Sequence, residues 1–221
     1  MSLPANRSWR KFASKSKTLS KQFTRTGILF VISAPSGAGK TTLCDALRQT
    51  RDFVYSVSCT TRAPRAGESE GEDYHFLSEE DFQARTAAGE FLEYAEVHGK
   101  YYGTLRKPIR ANLDRGIDVL IDVDTQGADA IRHFEDEFVR RALCDVFIMP
   151  PDLDELRRRL TKRGTETEEQ IELRLANAAR EMELWRDYRY TIISKSMEED
   201  LLKFRNIMGA ERYLSRRLVL S

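Results

Sequence analysis

Gly27 to Leu43 reads GILFVISAPSGAGKTTL, an unbroken apolar run that gives way to small residues and then a lysine. Ile28 to Ile32 is β-branched and aromatic, the composition of a strand buried on both faces. The chain must then turn. Gly37 and Gly39 permit the positive-φ backbone in which successive amide N–H groups point into one concavity, a geometry suited to phosphate oxygens. Lys40 adds a point charge, and Thr41 a hydroxyl for a magnesium ion. Leu43, Ala46 and Leu47 recur at helical spacing, so the turn feeds a helix N-terminus whose dipole also favours anions.

This is the pattern of a nucleotide-binding P-loop, G-x-x-x-x-G-K-[ST], with Ala34 in place of the first glycine. It makes Ser36, Gly37, Ala38, Gly39, Lys40, Thr41 and Thr42 the expected seat of a nucleoside triphosphate with Mg2+. Motors, GTPases and small-molecule kinases share such a loop, so the reaction must be read elsewhere.

The chain has 221 residues, 41% hydrophobic and 32% charged, enough for one substantial core with inserted lobes. No apolar run is long enough to span a bilayer, which argues against a membrane protein. Cys44, Cys59 and Cys144 are widely spaced and lack metal-site patterns, so they read as reduced thiols of a cytoplasmic protein. Arg7, Arg10, Lys11, Lys15, Lys17, Lys21 and Arg25 make residues 1–26 basic and free of acid, against a body of net charge about −6. That extension is expected to be flexible and dispensable, with organelle targeting or a nucleic-acid arm as alternatives.

Along the chain, Phe53 to Ser58 reads as a second strand. Then comes CTTRAPRAGESEGEDYHFL, too rich in glycine, proline and charge to build a parallel-sheet core. Tyr74 to Leu77 is a short strand, Ser78 caps a helix that Gly89 ends, and EFLEYAEVHGKYYGT reads as two β segments. A helix over 107–115 leads to the strand DVLIDVDTQG, on which Asp122 and Asp124 alternate and so share a side. Another helix begins at Ala128, CDVFIMPP is a core strand, and Asp152 caps a basic helix over 153–163. A long amphipathic helix, a strand over 191–193 and a helix over 198–214 follow. The expected architecture is α/β: a parallel core sheet flanked by helices, an inserted mixed α/β lobe and a helical lid.

The segment from Ser56 to Phe76 contains T-T-R-A-P-R-A-G-E-x-x-G-E-D-Y, and here the chain resembles the guanylate kinases, whose hallmark is such a run downstream of an S-G-x-G-K-[ST] loop. The resemblance covers residues 27–214 and implies a core of 27–58, 105–152 and 175–214. It further implies a GMP-binding lobe over 59–104, a lid over 153–174 and a tail over 215–221. By its own chemistry, Pro64 holds Arg62 and Arg65 as two guanidinium forks able to meet phosphate oxygens bidentately, with the Tyr74 hydroxyl beside them.

The resemblance implies that Glu93, Ser58 and Thr104 read guanine, while Arg62, Arg65, Glu68, Tyr74 and Tyr102 form the monophosphate site, with Asp124 near the acceptor nucleotide. A carboxylate only accepts hydrogen bonds, and guanine offers N1–H and N2–H side by side whereas adenine presents an acceptor at N1. Asp122, with Thr41, is expected at the magnesium ion, partly through water. Arg159 and Arg163 share a helix face, and with Arg174 they match the lid arginines that reach the transferred phosphoryl group. Lys40, Arg62, Arg159, Arg163 and Arg174 are thus the expected catalytic set. Ser194 and Lys195 stand where the family commonly has an Asn-Asp pair contributing to the adenine pocket.

The function implied is magnesium-dependent transfer of the ATP γ-phosphate to GMP in purine nucleotide metabolism, by a monomer or homodimer with no nucleic-acid or membrane partner. A non-catalytic phosphopeptide-binding relative and a ribose bisphosphate kinase are the alternatives.

Overall fold

A computed structural model of the chain describes residues 23–97, 99–164 and 167–220, with the side chain of Arg163 left out. The basic extension before Phe23, and His98, lie outside the described residues. Its centre is Leu29–Ser33 (β2), every residue of which is buried. β2 is the middle strand of a five-stranded sheet completed by Val54–Tyr55 (β3), Val119–Asp122 (β8), Leu143–Met149 (β9) and Tyr190–Ile193 (β10), in the order β10-β9-β2-β8-β3 and parallel throughout. Side chains alternate across it. Phe30 and Ile32 pack with Leu43 and Leu47 of Lys40–Arg48 (α1) and with Phe204 and Met208 of Met197–Arg212 (α8). Leu29 and Val31 face Arg106–Asp114 (α3), Thr125–Arg132 (α4) and Glu137–Ala142 (α5) through Ile109, Leu113, Ala128, Ile131, Val139 and Ala142. A double-faced apolar strand is what the run at 28–32 encodes.

The inserted lobe is a second sheet. Cys59–Thr60 (β4), His75–Phe76 (β5), Phe91–Val97 (β6) and Lys100–Leu105 (β7) pair in the order β5-β4-β7-β6, and Glu79–Ala87 (α2) lies between β5 and β6 in the chain. Phe82 of α2 stacks on Phe91 and Tyr101, giving the lobe a small core of its own. The segment expected as a lid is a helix pair, Leu153–Arg163 (α6) and Glu168–Met182 (α7), packed over Leu156, Leu160, Ile171, Leu175 and Ala178.

Four expectations change. The strand over 53–58 shortens to Val54–Tyr55, because the chain leaves β8 there to enter the lobe. Residues 174 and 175, placed either side of a lid boundary, lie within the single helix α7. Asp124 is not on the strand with Asp122; it is the N-cap of α4, accepting from Gly127 N–H at 2.7 Å. Finally, the chain after 214 is no tail. Leu218–Leu220 (β11) pairs antiparallel with Phe23–Arg25 (β1), which also moves the end of the basic extension back before Phe23.

Buried charges fasten that clasp at the N-terminal edge of the sheet. Asp118 accepts from Arg25, from Arg212 at 2.8 Å and from Ile28 N–H at 3.0 Å. Glu211, fully buried, receives Arg217, Arg189 and Tyr190. Arg217 also donates to the Arg141 and Ala142 carbonyls.

Candidate active site

The opposite edge of the sheet, where the parallel strands end, holds the residues expected to form the site, the place where open α/β sheets bind ligands. β2 runs into the loop 34–39. Ala38 N–H closes a turn onto the Pro35 carbonyl at 3.1 Å, with Gly37 at φ 87° in the position of that turn reserved for positive φ. A Cβ on Gly37 would meet Leu160 of the lid at 2.8 Å, so the loop and α6 are in contact. Gly39, at φ 101°, then starts α1. Lys40 reaches across the loop: its Nζ donates to the Val123 carbonyl at 3.0 Å and lies 3.6 Å from Asp122 Oδ2. Asp122 Oδ1 is taken by the Tyr55 hydroxyl, and the Arg48 guanidinium lies 3.7 Å over the Tyr55 ring.

One cavity of about 590 Å³ joins the loop to the inserted lobe. Lys40, Thr41, Asp122 and Asp124 line it from the core, and Ser58, Arg62, Arg65, Tyr74, Glu93 and Tyr102 from the lobe. Arg62 donates to Glu68 Oε1 at 2.9 Å, while Arg65 N–H is held by Glu68 Oε2 at 2.8 Å. Glu68 therefore braces both arginines and does not itself line the cavity wall. Tyr74 and Tyr102 meet edge to face at 6.0 Å, with Arg62 over the Tyr74 ring. Glu93 stands on β6 opposite Thr104 of β7 and accepts its hydroxyl. Thr104 is fully buried, so it acts on the cavity through Glu93. Burial raises the Glu93 carboxyl to about 7, opposed by the Thr104 hydrogen bond and assisted by the charge of Asp124. A Cβ on Gly127 would come within 3.0 Å of Glu93 Oε2, so that glycine leaves the carboxylate its room.

Two further cavities flank the loop. One of about 860 Å³ is lined by Ser36, Gly37, Gly39, Lys40, Thr41 and, from α7, Arg174 and Glu181. Another of about 440 Å³ lies against Gly37, Gly39 and Thr42, and runs along Ser194–Met197 to the buried Asp200. Arg159 sits between loop and strand end, donating to the Ala38 carbonyl and Ser194 Oγ at 3.1 Å each and anchored by Glu155 at 2.7 Å. Arg174 reaches Ser36 Oγ at 3.5 Å. Ala38 contributes shape, since its N–H is spent within the turn.

The residues expected from the loop and from the TTRAPR run thus converge. Tyr55, Arg48 and Glu181 were not expected there. The periodicity of α7 holds the signal for Glu181, which is seven residues beyond Arg174 and so on the same helix face. The three cysteines are buried, and burial pushes each thiol up, Cys59 to about 11, which keeps them protonated. No helix among the described residues is long and apolar enough to cross a membrane.

Residues 26–211 match the family model for guanylate kinase. The guanylate kinase of Alkalilimnicola ehrlichii is 46% identical over 189 residues, covering 85% of this chain and 90% of the relative. That of Clostridium tetani is 40% identical over 186 residues, covering 84% and 87%. The crystal structure of guanylate kinase from Anaplasma phagocytophilum superposes with a TM-score of 0.71 at 36% identity, covering 90% of this chain and 93% of that one.

Proposed function

This chain belongs to the guanylate kinase family, and we propose that it passes the γ-phosphate of ATP to the phosphate of GMP, giving ADP and GDP, across the gap between Lys40 and Arg62. The reading rests on the cavity that has phosphate-loop residues on one wall and Glu93, Arg62, Arg65, Tyr74 and Tyr102 on the other. Glu93, ionised, accepts guanine N1–H and N2–H, with Ser58 beside it. Adenine would set its N1 acceptor against the carboxylate, a mismatch worth roughly 10⁴ in discrimination. Arg62 and Arg65, preset by Glu68, hold the acceptor phosphate with Tyr74 and Tyr102 so that its oxygen faces the γ-phosphate in line.

On the donor side, the amides of Gly37 and Gly39–Thr41 and the Lys40 ammonium receive the β- and γ-phosphates, and Lys40 exchanges the Val123 carbonyl for a phosphate oxygen. Arg159 and Arg174 already touch the loop and close over the transfer with Arg163, excluding water. The donor set fits magnesium: the Thr41 hydroxyl and Asp122 supply hard oxygens in one cavity, and the Asp122 oxygen not bonded to Tyr55 points to the Lys40 side. A magnesium ion held there, partly through water, would neutralise charge on the phosphates.

The test is ADP release with GMP, AMP and ribose bisphosphate offered in turn as acceptors. Rapid turnover with GMP alone is expected. Equal rates with AMP would refute the role of Glu93, and no turnover with any acceptor would favour a phosphopeptide-binding module.

A further inference from the structure

Ser36 N–H is the first amide after Pro35, which has none. The turn 35–38 satisfies itself with Ala38 N–H and the Pro35 carbonyl, and Ser36 N–H is left pointing out of it. It is taken up from outside by Glu181 Oε2 at 3.2 Å. Glu181 is half-buried near the end of α7, in the cavity that also holds Lys40, Thr41 and Arg174. A carboxylate is an odd neighbour for a triphosphate. Like charge opposes the donor, so some gain in geometry must offset it.

We infer that Glu181 is a positioning residue for the donor site: by accepting from Ser36 N–H it fixes the first limb of the phosphate loop to the lid helix, and so sets the direction of the amides that follow. The inference rests on the reading of this cavity as the seat of ATP. Pro35 is a natural pivot, since its fixed φ and missing N–H leave the turn bond and the Glu181 bond as the two hydrogen bonds made by backbone amides of the limb beyond it, among the described residues. Releasing Ser36 lets Gly37 and Gly39 sample the wide backbone range that glycine allows. Arg174, two turns earlier on the same face of α7, reaches the Ser36 hydroxyl, so one helix addresses both polar groups of one loop residue. What matters in this account is the accepting oxygen and not the negative charge. Glutamine supplies the same oxygen without the charge.

The experiment compares Glu181→Gln and Glu181→Ala in the full chain. Glu181→Ala is expected to raise the KM for ATP about tenfold, to weaken binding of ADP by a similar factor in calorimetry, and to leave the KM for GMP within about twofold. Glu181→Gln is expected to keep ATP and ADP affinity at or above the wild-type level, because the bond is kept and the repulsion is gone. Wild-type-like ADP affinity in the alanine variant would overturn the inference, as would a glutamine variant as weak as the alanine one. Parallel loss of ATP and GMP affinity with a lowered melting temperature would assign Glu181 a purely structural role. If the wild-type chain turns over no GMP but both variants still bind ADP as expected, the acceptor reading fails and this inference stands.

Discussion

Glu93 is only 8% exposed, and its burial lifts the carboxyl to about 7 while Thr104 pulls the other way. A carboxylate raised in this manner stabilises the fold most when protonated, below its ordinary value of 4.5, and that contribution is lost as pH rises through about 7. Guanine binding has the opposite demand, since only the ionised form accepts both N–H groups. The expected result is a kcat/KM for GMP that is level above about pH 7.5 and falls toward tenfold per unit in acid, measured by initial rates across the range. Glu93→Gln is expected to abolish that limb and lower kcat/KM for GMP by about 10²–10³, since the substituted amide now opposes a donor with a donor. At this scale the sequence was a good guide wherever the chemistry lies in one contiguous run: Lys40, Arg62 and Arg65 are legible because neighbours in the chain define their setting. Tyr55 and Glu181 were not. Their roles arise from strands and helices far apart in sequence being brought edge to edge: a lone tyrosine has no local mark of that, and Glu181 has only its helical spacing from Arg174.

Among the elements, the lid depends on a core of five side chains, and Leu160 belongs to that core while also pressing on Gly37. Leu160→Ala is expected to destabilise the α6–α7 pair by about 2–4 kcal/mol, the usual range for emptying a buried leucine site. Faster hydrogen exchange in α6 and α7 with the sheet unchanged is the measurement, together with a raised KM for ATP at constant KM for GMP. Element ends were legible where a cap states them: Ser78 accepts from Asp81 N–H, Asp152 from Glu155 N–H, and Gly116 stops α3 at φ 74°. The short helix α5, between α4 and the strand CDVFIM, has no signal of its own in the sequence. Its six residues give too few turns for a periodic signal, and it is held by Val139 and Ala142 docking on the sheet. The strand expected over 53–58 erred for a related reason, because pairing with β8 and not propensity decides where a strand stops.

For the molecule as a whole, the change of texture at Cys59 revealed the inserted lobe, since a glycine-, proline- and charge-rich stretch does not join a buried parallel sheet. The clasp of β1 and β11 left no such trace: FTR and LVL are too short to alternate, and their partnership spans the chain. Arg217, 2% exposed against a fully buried Glu211, is its anchor. Arg217→Ala is expected to cost about 3–5 kcal/mol in denaturant unfolding, as breaking a buried pair strands the remaining charge. Activity at low temperature should persist, because the clasp lies at the far edge of the sheet from the cavities. The same clasp puts Phe23 directly across from Leu220, with their Cα atoms roughly 5 Å apart as in any antiparallel pair. The chain from Phe23 to Leu220 therefore nearly closes on itself. Joining those two residues by a short linker, in a chain trimmed to 23–220, and opening it at the exposed Gly89 turn would yield a circular permutant with the same cavities.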